Sequence, residues 1–144
     1  GHEGRSVDLL RAMSQRLRVP VDCKELAEVV AREHGNIHRS ADLSAAAVLR
    51  LLERCDAIRK PERFAQILLA CECDARGRLG FESSAYPQGQ RLARALAIAL
   101  GVNTAEISTR SLQQGLKGPA IGAAIAQARE ACLTEGLDAN KGGH

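Results

Sequence analysis

Residues 71 to 83, CECDARGRLGFES, crowd two cysteines, three carboxylates and two arginines into a short run. Three chemistries use such residues: thiolates holding a metal, arginine and glycine cradling a phosphate, or side chains finishing a helix. Cys71 and Cys73 are two apart, so on a helix their side chains point about 200° from each other and cannot share one tetrahedral ion. No second cysteine or histidine pair lies nearby, and packed, unreactive thiols are the expectation. The arginines go further. From Arg76 to Arg94 four arginines (Arg76, Arg78, Arg91, Arg94) face the single acid Glu82, the most basic stretch of the chain. Arginines near a helix C-terminus complement its dipole. The same residues also read as a phosphate-contact surface.

The elements that position them are helical. Val7, Leu10, Met13 and Leu17 recur at helical spacing until Pro20. Cys23, Leu26, Ala27 and Val30 line a second helix, with Gly35 and Asn36 as its expected C-cap. Ser44 can cap a third, striped by Val48, Leu51, Leu52, Cys55 and Ile58. Pro61 opens a fourth that buries Phe64, Ile67, Leu68 and Cys71, which puts the opening run at its C-terminal end. Pro87 starts a fifth, Gly101 stops it, and Thr104 to about Gln114 forms a short sixth. Ile121, Ile125, Ala128 and Cys132 stripe a seventh, whereas residues 135–144 show no pattern and read as a frayed, disordered tail. With no alternating segment, the expected fold is all-α, about seven helices in a compact bundle-like array.

Two further groups could do chemistry. In GLKGPAIG, Gly118 and Pro119 suit a helix start and Lys117 precedes it, an arrangement that can hold an anion or simply cap the helix. His34 and His38 lie one turn apart and could face one ion if the helix persists through Gly35.

Composition sets outer limits. The 144 residues are 45% hydrophobic but only 2% aromatic, so base stacking on an aromatic platform is not expected. The formal charge of +3 gives no diffuse basic field, and 16 of the 20 basic residues are arginines, whose planar fork suits phosphate. Five scattered cysteines fit reduced thiols and a cytoplasmic setting better than a disulfide framework. No apolar stretch reaches membrane length, so no membrane partner is expected. The opening Gly1-His2-Glu3, without an initiator Met, reads as part of a longer chain.

The stretches GHEGRSVDLL, AREHGNIH, DAIRKPERFAQILLACECDARGRLGFESSAYPQG and GLKGPAIGAAIAQAR occur in the order that resembles the C-terminal part of bacterial CCA-adding enzymes, the multifunctional tRNA nucleotidyltransferases. That resemblance implies a catalytic head, absent from this chain, that adds C, C and A to tRNA 3′ ends from CTP and ATP with Mg2+. It also implies an HD-type phosphohydrolase domain, acting on 2′,3′-cyclic and 2′-phosphates with Ni2+ or a similar divalent metal. Residues 1–60 would be the latter part of that domain, and residues 61–134 a helical, tRNA-binding region. The upstream His-Asp pair is absent, so no catalytic set is complete here and no metal need be bound by this chain. His2 and His34 fall on motif positions, Asp56 would be a remaining carboxylate ligand, and the pattern departs from the family at His34-Gly35, where a His-Asp is expected.

On this basis Arg76, Arg78, Arg91, Arg94 and Lys117 are expected to meet tRNA phosphates. Glu72 and Asp74 would pair with Arg76 and Arg78 to fix the turn, and Gly118 and Pro119 would shape the last helix start. The competing expectation is a helical scaffold or homodimerisation module whose arginines serve internal ion pairs.

Overall fold

The computed structural model describes residues 23–79 and 86–142, with side chains described for 23–77 and 86–137. The expected first helix and His2 lie outside the described residues, as does the side chain of Arg78. Among the described residues there are six α-helices: α1 Cys23–His38, α2 Ala45–Arg54, α3 Pro61–Leu79, α4 Pro87–Leu100, α5 Thr104–Gln113 and α6 Gly118–Gly142. A single 3-10 turn, Ser40–Asp42, links α1 to α2. Among the described residues there is no strand, and no helix is long and apolar enough to cross a membrane.

Local chemistry sets most of the boundaries. The Ser44 hydroxyl accepts from the Ala47 amide at 3.2 Å, and the Asn103 side chain accepts from the Glu106 amide at 3.0 Å. Each satisfies a donor that the first helical turn leaves without a partner. Pro61 and Pro87 open α3 and α4, where a missing amide hydrogen costs nothing, and Gly101 ends α4. The end of α2 is a Schellman motif: Asp56 takes φ +55°, its amide donates to Glu53 at 3.0 Å, and the Ala57 amide reaches back to Leu52 at 2.9 Å.

Packing joins the helices through one core. α1 lies on α3, α3 on α4, and α6 runs across α2, α4 and α5. Leu26, Val30 and Ile37 of α1 meet Leu51 and Leu52 of α2, Phe64, Ile67 and Cys71 of α3, Leu92 and Leu96 of α4, and Leu133 of α6 in a single buried cluster. Each such side chain contributes roughly 1.5–3 kcal/mol by leaving water.

Four expectations are corrected. α1 does not stop at Gly35 but continues to His38. Ile37 completes the buried row Leu26, Val30, Glu33, Ile37, and burying it outweighs the cost of about 1 kcal/mol for a helical glycine. The run around Asp74 is not a loop entry, because α3 extends to Leu79. Cys132 is exposed rather than inward. α6 instead turns Ala126, Leu133 and Leu137 inward, seven and then four residues apart, and approaches α4 so closely at Gly136 that a Cβ there would stand 2.5 Å from Ile98 Cδ1. Residues 135–142 therefore continue α6 instead of fraying, held by Leu137 at 4% exposure.

Leu137→Ala tests that last point. A cavity-forming truncation at a buried leucine costs about 2–4 kcal/mol, seen as a lower urea midpoint with unchanged slope, whereas a frayed residue would leave the midpoint where it was.

Candidate nucleic-acid interface

The basic run chosen from the sequence splits once it is folded. Arg76 spends its guanidinium on Glu72, one turn earlier on α3, at 3.1 Å. Continuing the buried row Phe64, Ile67, Cys71 by helical spacing turns Asp74 inward, where its Oδ2 sits 3.5 Å from His38 Nε2. The other ring nitrogen of His38 lies 2.7 Å from the Tyr86 hydroxyl, and Gln88 donates to the His38 carbonyl at 2.9 Å. α1, the end of α3 and the start of α4 are joined at this point.

Arg91 also turns inward and donates to the Leu43 carbonyl at 3.2 Å. Arg94, three residues later on α4, is exposed and has no ion-pair partner among the described residues. Lys117 is exposed just ahead of α6, and its carbonyl accepts from the Ile121 amide at 2.9 Å, so the cap falls on Lys117 rather than on Gly118. Gly118 and Pro119 then occupy the first exposed positions of the helix. Of the five expected phosphate contacts, Arg94 and Lys117 thus present open cations, while Arg76 and Arg91 are engaged within the fold.

The donors expected for a metal do not gather. Among the described residues no group of three or more His, Cys, Asp and Glu side chains could hold an ion. His34 Nδ1 lies 3.1 Å from the Val30 carbonyl, which can only accept, so this nitrogen donates. Asp56 forms the left-handed cap of α2 and pairs with Arg59 at 2.8 Å. The two do not by themselves make a divalent-metal site, and no chemical step is assigned to one. Burial, followed by the charge of Asp74, pushes the Cys71 thiol up to about 12; burial and then Glu33 do the same to Cys55. Both stay protonated and poorly nucleophilic.

A second basic face, unmarked by any motif, lies around the end of α2. Glu33, with its side chain 3% exposed, accepts from Arg54 Nε at 3.1 Å, from Arg32 Nε at 3.3 Å and from Asn36 at 3.0 Å. Burial pushes the Glu33 carboxyl up, but the Asn36 and Arg54 hydrogen bonds and the Arg54 charge outweigh it and hold the group below the usual carboxylate value. Arg32 also donates to the Arg54 carbonyl at 2.9 Å, and buried Arg63 donates to the Cys55 carbonyl at 2.8 Å while pairing with Glu25. The carbonyls that end α2 are thus covered by guanidinium groups from its neighbours.

Fold and surface together define an all-α module with arginine-bearing outer faces. Relatives give that module its context. Over 139 residues, 96% of its length, the chain is 60% identical to the Multifunctional CCA protein of Paracidovorax citrulli (strain AAC00-1), of which it spans 33%. It is 64% identical over 129 residues to the protein of the same name from Variovorax paradoxus (strain S110), spanning 31%, and 63% identical over 129 residues to that from Polaromonas naphthalenivorans (strain CJ2), spanning 30%. The chain is homologous along nearly its whole length to about a third of these proteins. No protein-family model matches it, and no solved structure matches it.

Two outcomes check this geometry. A depressed carboxylate stabilises the fold above its unfolded pKa of roughly 4.3 and loses that contribution as pH falls through the lower folded value. Glu33→Gln should therefore cost about 1–3 kcal/mol at pH 7, with the gap to the parent chain closing below pH ~4, measured by urea titration at both pH values. Thiol labelling of the folded chain at neutral pH should modify Cys132 first and leave Cys55 and Cys71 untouched until denaturant is added.

Proposed function

We propose that this chain is the C-terminal, tRNA-facing part of a bacterial CCA-adding tRNA nucleotidyltransferase. The observation that carries this reading is the 57–64% identity, across 90–96% of the chain, to proteins named Multifunctional CCA protein. On this reading nucleotidyl transfer from CTP and ATP, with its Mg2+, belongs to parts of the enzyme outside these residues. The role of the present helices is to hold tRNA by its phosphates in the cytoplasm. Residues 1–60 are the latter part of the HD domain and 61–134 the tRNA-binding region. Phosphohydrolase chemistry with Ni2+ or a similar ion would need donors beyond His34 and Asp56.

The open cations Arg94 and Lys117 support phosphate contact, whereas Arg78 is retained on its sequence position alone. Arg76 and Arg91 favour the competing reading, a scaffold or homodimerisation module, because both are already engaged within the fold. The two readings differ in salt dependence, since only phosphate neutralisation releases counterions.

Fluorescence anisotropy with labelled tRNA, across a salt series, tests the proposal. Binding should weaken steeply with salt, and Arg94→Ala with Lys117→Ala should lower the slope by about 2 while leaving helical circular dichroism intact. Tight binding without a salt slope, or no binding at low salt by the folded chain, would leave the scaffold reading.

A further inference from the structure

The arginine face at the end of α2 encloses a cavity of about 210 Å³ lined by Asn36, Arg39, Leu43, Ala47, Arg50 and Arg54. Ala47, Arg50 and Arg54 form one face of α2 at i, i+3 and i+7, while Asn36, Arg39 and Leu43 close the cavity from the α1 side. Three guanidinium groups share this mouth, and among the described residues its lining contains no carboxylate. Glu33 relieves Arg54 from behind, while Arg39 and Arg50 have no carboxylate partner among the described residues, so the mouth keeps a net positive charge that an entering anion would offset.

The three arginines differ in how they are held. Glu33 grips Arg54 through Nε, one edge of the guanidinium, and this buried carboxylate stays outside the lining. Arg50 is exposed, with no acceptor among the described residues. Arg39 lies over Gly35, where a Cβ would stand 3.3 Å from its Nη1, and among the described residues its side chain donates to Asn36 at 3.4 Å. A side chain at position 35 would therefore meet the Arg39 guanidinium first.

We infer that this cavity seats a phosphate group, with the Arg39, Arg50 and Arg54 forks donating to its oxygens and Leu43 and Ala47 forming an apolar floor. Planar guanidinium pairs match tetrahedral oxyanions better than single ammonium charges do. Because the proposed function supplies RNA as the polyanion, the inference rests on that reading for the source, a backbone phosphodiester, but not for the chemistry. A free phosphate would satisfy the same donors.

The test uses the whole 144-residue chain. Arginine side-chain NH resonances are followed as inorganic phosphate is added, and labelled tRNA affinity is measured across salt for the parent, Arg50→Gln and Gly35→Asp. Phosphate should shift the Arg39, Arg50 and Arg54 signals selectively. Arg50→Gln should weaken tRNA binding roughly eight-fold at 0.1 M salt, the loss of about one phosphate contact from the slope. Gly35→Asp removes no arginine but sets a carboxylate against Arg39, and should weaken both ligands several-fold in a chain with unchanged circular dichroism.

Selective phosphate shifts without tRNA binding would support the cavity as a site for a free phosphate and sink the RNA reading. Parent-like phosphate shifts in Gly35→Asp, with tRNA affinity and slope unaltered in both variants, would overturn the inference even if Arg94→Ala still lowers affinity.

Discussion

The constraint on which this fold turns is the unsatisfied C-terminal end of α2. A helix ends with carbonyls that have lost their internal donors and with a partial negative charge. Here the Schellman turn at Asp56 covers part of that need, and Arg32 from α1 and Arg63 from α3 cover the carbonyls of Arg54 and Cys55. Both guanidinium groups have partners of their own, in Glu33 and Glu25, so three helices are fixed in register by one helix end. Apolar burial drives the helices together, but it is non-directional. These hydrogen bonds select which face of α1 meets which end of α2.

The surface chemistry follows from that arrangement. Once Glu33 is buried against Arg54 and Arg32, its charge is turned away from the cavity, and Arg39 and Arg50 line the mouth beside an apolar floor. The sequence's own basic interval behaves differently, since Arg76 and Arg91 are drawn into contacts that tie α3 to itself and α4 to Leu43. A high local density of arginine is therefore a poor guide to where positive charge is available; the acceptors that the fold brings to each guanidinium decide it.

Much of the architecture could be read directly from residues. Ser44, Pro61, Pro87 and Gly101 mark boundaries because capping and ring geometry act within a turn of the chain, and the structure keeps each of them. Gly35 misled because local propensity was outweighed by the burial of Ile37, an energy set by the whole core. Asp74 and His38 meet across 36 positions, and His38 and Tyr86 across 48, with no pattern in either segment to announce it. The arginine cavity was hidden for the same reason, since it exists only at the angle where the end of α1 meets α2.

The place of α6 has a consequence for how the protein is made. Leu133 and Leu137 cover core surface contributed by α2 and α4, yet they are among the last described residues of the chain. During vectorial synthesis the earlier helices emerge and collapse with that surface still bare, and they must wait for the final turns of α6 before it is sealed. Until α6 docks, the faces of α2 and α4 that it covers form an open apolar groove, a surface that the early collapsed chain presents to water.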